Sequence, residues 1–277
     1  GYTYSLSALF EKSFHFGLDL AASYTFGHSK SVYDGTSSVA YSNWKYNYAV
    51  DSNNPGLAYS MFDIPHRVMV SVGYRTPRYA KGFMATTVSL VYNGYVGQRY
   101  SLTMNESYYD AEKKKTVYID YNGDGWGGNS LLYIPTEDEL QKMDFKTEED
   151  RRKFDEWIEG DSYAKKHRGA YAMRNSNSAP WENRVDLHVA QDIFVLKDRG
   201  SKFQVTFDVT NFANMLNKKW GTTYTAAYNV MPLQVIGSKK GEDGNYTNTY
   251  AYNSRNTITK NDVLSRWHAQ IGFKYIF

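Results

Sequence analysis

The chain has 277 residues, 42% of them hydrophobic, with 26 Tyr, 14 Phe and 6 Trp against 6 Pro and no Cys. The lack of cysteine excludes disulfide staples and thiolate metal sites, and a thinly spread net charge of +3 argues against a nucleic-acid partner. No run of about 18 apolar residues occurs, which excludes a transmembrane helix but leaves strands of about 10 residues open.

Period-two alternation begins at once and recurs in seven segments. Residues 2–12 set Tyr4, Leu6, Ala8 and Phe10 on one side, with no charged leader or cleavage site ahead of them, so the chain is expected to be part of a longer polypeptide. After the short link Ser13-Phe-His15, residues 16–28 place Leu18, Leu20, Ala22, Tyr24 and Phe26 against Asp19, Ala21, Ser23 and Thr25. A polar connection then runs to about residue 65. The third strand, 66–75, opposes Val68, Val70, Val72 and Tyr74 to Arg67, Met69, Ser71 and Gly73, and leaves through the short turn 76–82. The fourth, 83–101, carries Val88, Leu90 and Tyr92 on its outer face.

The longest connection, residues 103–183, is too long to be featureless in a compact protein. Strand five, 184–195, sets Val185, Leu187 and Val189 against Asp186, His188 and Ala190, and exits through Lys197-Asp-Arg-Gly200. Strand six, 202–212, sets Phe203, Val205, Phe207 and Val209 against Gln204, Thr206, Asp208 and Thr210. After a third long connection, the last strand puts Trp267, Ala269, Ile271, Phe273, Tyr275 and Phe277 opposite His268, Gln270, Gly272 and Lys274. Short and long connections alternate strictly, as in an outer-membrane barrel with tight periplasmic turns and long extracellular loops.

Seven is an odd count, and an open sheet in lipid exposes unpaired edges. A further strand within residues 230–252 would restore parity; a hairpin above the membrane is the simpler reading. The expected fold is all-β, an antiparallel transmembrane β-barrel segment with long extracellular loops and two short loop helices. Those helices start at Thr136-Glu-Asp-Glu139, a true capping box, and at Thr147-Glu-Glu-Asp150, where Asp replaces the boxing Glu. In the second, Phe154, Trp157 and Ile158 share a face.

Candidate binding residues lie in the loops. Trp44, Tyr46 and Tyr48, spaced two apart, together with Trp126, suit stacking on sugar rings or peptide side chains; an aromatic hairpin rim would use the same residues. Asp120, Asn122 and Asp124 precede Gly125 with the spacing of the first half of a calcium loop, but Leu131 stands where a bidentate Glu is expected. The segment is therefore either a Ca2+ site or a Gly-rich turn with Asx-type hydrogen bonds. The six histidines are scattered without zinc spacing, and no nucleophile elbow or phosphate loop occurs, so no enzymatic role is expected.

Three blocks stand out together: Asp63-Ile-Pro-His-Arg67, Arg174 through Pro180-Trp-Glu-Asn-Arg-Val-Asp186, and Phe207-Asp-Val-Thr-Asn-Phe-Ala-Asn-Met-Leu-Asn-Lys-Lys-Trp-Gly221. With the terminal Phe277 they resemble the C-terminal portion of TonB-dependent outer-membrane transporters of the SusC-like and Oar-like kind, over essentially the whole of residues 1–277. The resemblance implies about seven strands of a 22-stranded barrel in the bacterial outer membrane, filled by an N-terminal plug. It also implies active import of a glycan, peptide or chelate. Implied partners are outer-membrane lipid, the N-terminal barrel and plug of the same polypeptide, the TonB complex and a surface lipoprotein. Asp186, Asp208 and Arg67 are then expected to face the lumen. The alternatives are a passive porin or adhesive barrel, and a soluble secreted β-protein or barrel-embedded hydrolase.

Overall fold

The computed structural model describes residues 1–195, 201–226, 229–242, 244–254 and 258–277. Seven long strands form one antiparallel meander in chain order: β1 (Tyr2–Ser13), β2 (Leu18–Ser31), β3 (His66–Arg75), β4 (Met84–Tyr95), β5 (Glu182–Phe194), β6 (Lys202–Thr210) and β7 (His268–Ile276). A two-residue strand, Ala58–Tyr59, extends the pairing at the outer end of β2. Among the described residues β1 pairs only with β2 and β7 only with β6, so the sheet is open at both sides. The hairpin Leu233–Lys240 with Tyr246–Tyr252 pairs outside this sheet and so adds no strand to it.

The register carries one face through all seven strands. Leu6 pairs with Phe26, which pairs with His66; Val70 pairs with Ala22 and Tyr92; Leu90 pairs with Leu187, which meets Val209 and then Ala269. Side chains alternate across a strand, so the predicted apolar sets align on one surface and Arg67, Asp186, His188, Asp208 and Gln270 on the other. Leu9, Met69 and Val91 interrupt the polar surface. On the apolar surface Leu6 is 73% exposed and Phe273 82%. A contiguous apolar sheet face of this kind has lipid as its natural solvent.

Aromatics mark both ends of that face. Toward the outer end the Tyr92 hydroxyl donates to Asn183 Oδ1 (2.7 Å), and Trp181 Nε1 donates to the same oxygen (3.1 Å). Toward the inner end Phe203 packs on Tyr275. Two such belts match the two interfaces of a bilayer.

The inner turns are tight. Gly17 has φ +95°, and a Cβ there would lie 2.2 Å from the Arg75 carbonyl oxygen, so a side chain is excluded by backbone rather than by a movable neighbour. In the turn after β3, Ala80, Lys81 and Gly82 all take positive φ. The predicted exit Lys197-Asp-Arg-Gly200 lies outside the described residues. On the polar face near this end, Asp192 of β5 is 2% exposed and accepts from Arg75 of β3 (2.7 Å), Lys202 (2.7 Å) and Gln204 (2.8 Å) of β6. Arg75 reaches it across β4, where Ala85 pairs with Asp192 and is small enough to let the side chain pass.

Two strand ends depart from expectation. The fourth strand stops at Tyr95; residues Arg99–Leu102 form a separate strand that pairs with Asn177–Ser178 and Asn229–Val230. Its Arg99 is pulled away from the sheet to a buried carboxylate, Asp63. Strand six stops at Thr210, where Asn211 adopts a left-handed conformation and caps the short helix Phe212–Leu216.

The outer loops build a second core. Helix α1 (Ala40–Lys45) lies in the first loop; α2 (Glu137–Lys142) and α3 (Glu148–Gly160) in the second; α4 (Phe212–Leu216) and α5 (Asp262–Ser265) in the third. Thr136 and Glu139 form the full capping box of α2, while Thr147 caps α3 from one side. Phe154 and Ile158 of α3 are fully buried with Leu102, Ile134, Leu140, Leu233 and Val235, and Trp157 packs against them. Second and third loops thus share one apolar cap. Burial there pushes the Tyr100 hydroxyl up to about 12, with the Asp161 carboxylate adding to the shift.

Candidate functional site

The first loop joins this cap through polar contacts rather than shared hydrophobic core. Asp63, 2% exposed, accepts from the backbone N–H of Ser29 (2.6 Å) and from Arg99 Nη2 (2.7 Å) and Nε (3.0 Å), with His28 Nδ1 at 3.3 Å. Arg99 also lies 4.1 Å over the Tyr59 ring. Arg174, 4% exposed, donates to Asp34 and to the Ser31 carbonyl, and Asn175 Nδ2 donates to Asp34 (3.0 Å) and the Tyr59 carbonyl (2.8 Å). Of these residues, Asp63 belongs to the first sequence block and Arg174 and Asn175 to the second. In both blocks a charged group closes a loop onto its neighbour where the chain re-enters the sheet.

Between the first and second loops this network leaves a pocket of about 360 Å3. Tyr46, Tyr48 and Met61 supply apolar surface, Asn43, Asn47 and Asn175 supply amides, and Asp34, Arg99 and Arg174 form its charged wall. The charged wall is internally compensated: both arginines are bound to carboxylates. Such a pocket suits a polar, mostly neutral ligand with flat faces, held by ring contacts and amide hydrogen bonds.

Two of the four predicted aromatic contacts, Tyr46 and Tyr48, line this pocket. Trp44 does not; it belongs to α1, so spacing of two does not set it on one face with the tyrosines, and it stacks on Tyr41 at 5.9 Å. Trp126 stands behind Tyr46, edge to face at 5.8 Å, with Lys45 Nζ 3.6 Å over its ring. Asp34, Asn43, Asn47, Arg99, Arg174 and Asn175 were not predicted as lining residues. Their partners are distant in sequence, and only Arg174 and Asn175 lie in one of the three sequence blocks.

The predicted calcium loop is occupied by hydrogen bonds. Asp120 accepts from the N–H groups of Asp124 (3.2 Å) and Gly125 (2.7 Å), and Asp124 accepts from the Trp126 N–H (2.7 Å), Asn129 Nδ2 (2.6 Å) and Ser52 Oγ. Asn122 Nδ2 donates to Asn129 Oδ1 (3.1 Å). This is the bonding of a Gly-rich Asx-type turn, and a cation would compete with these donors. Among the described residues no group of three or more His, Cys, Asp or Glu is poised for a metal. Burial alone would raise the Asp124 pKa, but hydrogen bonds from Asn129, Ser52 and the Trp126 amide outweigh it and hold the carboxyl below its ordinary value. Through Ser52 this turn pins the first loop to the second.

The third block is a staple. Asn211, 3% exposed, donates from Nδ2 to the carbonyls of Gly221 (2.8 Å) and Ser265 (2.8 Å), and its N–H donates to Asp186 Oδ1 (2.7 Å). Gly221 has φ +57°, and a Cβ there would sit 1.9 Å from Asn211 Oδ1. The Asn and Gly of the block therefore fit each other and tie the outer ends of β5, β6 and β7 together.

No helix among the described residues is long and apolar enough to cross a membrane, a statement that does not bear on strands. No curated protein and no solved structure matches the chain. A family model described as an outer membrane beta barrel domain matches residues 2–266. With its apolar strand face and polar opposite face, the chain belongs to this outer membrane beta barrel domain family and resides in the bacterial outer membrane.

Proposed function

We propose that the chain forms part of the wall and the outer cap of a plugged, TonB-dependent barrel that actively imports a nutrient of the glycan, peptide or chelate class. The observation that carries the reading is the pocket between the first two outer loops. It offers tyrosine faces and amides on the extracellular side, where a transporter first meets its cargo. The polar strand face adds support: Arg67 bonds Asn93, Arg184 bonds Asp186, and His188 bonds Asp208. A lumen lined with half-exposed charged groups offers a plug many hydrogen-bond partners. A surface lipoprotein resting on the loop cap belongs to the same reading.

Uptake of candidate oligosaccharides and peptides by cells expressing the protein tests it. Uptake that stops when a protonophore dissipates the proton gradient, and that falls several-fold on replacing Tyr46 and Asn47 by Ala, is the expected result. Uptake that survives the protonophore points to a passive porin instead.

A further inference from the structure

Where β6 and β7 reach the outer rim, the molecule presents a surface that matches neither bulk water nor hydrocarbon. Leu216 of α4 and Val263 and Leu264 of α5 are each about three-fifths exposed or more, and Trp220 and Trp267 are about half exposed. Between the two helices lies a cleft of about 420 Å3 lined by Met215 and Trp267, by the cations Lys218, Lys260 and Arg266, and by one carboxylate, Asp262, beside Asn214 and Ser265. Lys260 Nζ is 3.8 Å from Asp262 Oδ1, whereas the side chains of Lys218 and Arg266 have no hydrogen bond or ion pair among the described residues.

The side of the sheet on which this cleft opens follows from register. Trp267 continues the face of Ala269, Ile271, Phe273 and Tyr275, which is the lipid face. A neighbouring cleft places Lys219 and Trp220 beside Trp181 and Val185 of the same face. The cations thus stand at the level where apolar strand gives way to loop, beside indole rings. At that level in a membrane, tryptophans settle among headgroups, and cations lacking a protein counter-ion are stabilised by anionic lipid.

We propose that this rim binds the phosphorylated headgroup of an outer-leaflet glycolipid. Lys218, Lys260 and Arg266 face the phosphate, Trp267 packs at the sugar and acyl boundary, and the exposed leucines and Val263 rest in the upper acyl layer. The inference depends on the membrane placement of the strands and not on what the barrel transports. A lipid held here would brace the loops that Asn211 staples.

Detergent-solubilised protein with bound diphosphorylated lipid A, followed by native mass spectrometry, provides the test. The parent protein should retain the diphosphorylated lipid at least tenfold better than its dephosphorylated form. The double variant Lys218→Gln/Arg266→Gln should bind it about 30-fold more weakly, two cations' worth, and Lys113→Gln/Lys114→Gln on a distant hairpin should bind it like the parent. Retention unaffected by dephosphorylation, or equal in parent and rim variant, overturns the proposal, as does full competition by millimolar inorganic phosphate, which would mark a small-anion site. Should the rim variant fail to fold, judged by loss of heat-modifiable migration, the phosphate dependence and competition in the parent still decide.

Discussion

Asp63 shows what a single buried carboxylate does in this architecture. It holds the backbone of β2 through Ser29 and the guanidinium of Arg99 from the second loop, and both acid and base are nearly solvent-free. Breaking such a pair by removing one member leaves an uncompensated charge in a dry place and costs about 3–5 kcal/mol. Asp63→Ala should therefore lower the unfolding free energy obtained from urea titration in micelles by that order, and adding Arg99→Met should recover part of the loss. A double variant no better than Asp63→Ala would show that the pair is not the source of the effect. Asp124 makes a pH-dependent version of the same connection. Its folded pKa lies below the unfolded value of about 3.9, so its contribution is fully present above that value and disappears as pH falls through the lower folded one. Protease cleavage in the first loop around Ser52 should accelerate on acidification in that window, and Asp124→Asn should cleave readily at every pH. A parent whose cleavage ignores pH would refute the role assigned to Asp124.

At the scale of the strand, the two faces have different solvents, and substitution should reveal it. Val70 pairs with Ala22 and Tyr92 on the apolar face, while Ser71 one residue later pairs with Ala21 and Val91 on the polar one. An arginine at Val70 faces hydrocarbon and should cost about 2–4 kcal/mol if near the bilayer midplane, whereas Ser71→Arg faces the lumen and should fold normally. Folding yield into lipid vesicles measures both, and equal yields would contradict the assignment of faces. This alternation was legible in the residues because period two is local: Val68, Val70 and Val72 declare a face without knowledge of any partner. The capping box at Thr136 and the apolar stripe of Phe154 and Ile158 were legible for the same reason. The cap core was not, because Leu102, Ile134 and Val235 come from segments more than thirty residues apart that share no period. The pocket failed to show for a related reason, since Asp34 and Arg174 meet across 140 residues of intervening chain. Trp44 lies on α1, where a spacing of two does not carry it onto one face with Tyr46 and Tyr48. The end of strand six falls at Asn211, a residue type that tolerates the left-handed backbone it adopts there, and the contacts that hold it, to Gly221 and Ser265, lie 10 and 54 residues away.

For the molecule as a whole, the open edges set the strongest constraint. Among the described residues β1 and β7 each present one unpaired ladder of N–H and C=O groups, and in lipid every such group left unsatisfied costs several kcal/mol. Joining β1 to β7 would remove the edges, but it would make a closed barrel of seven strands, fewer than the eight of the smallest single-chain outer-membrane barrels and odd where those are even. The larger transporter barrel proposed above would complete both edges with strands other than each other. Cysteines placed at Ser7 of β1 and Gln270 of β7, both on the polar face, provide the check. In the membrane-inserted protein they should resist disulfide formation by an added oxidant, while a pair across the established β6–β7 ladder, Thr206→Cys with Gly272→Cys, should cross-link. Efficient β1–β7 cross-linking within one chain would instead establish a small closed barrel, with too little room in its lumen for a plug, and would remove the basis for active transport.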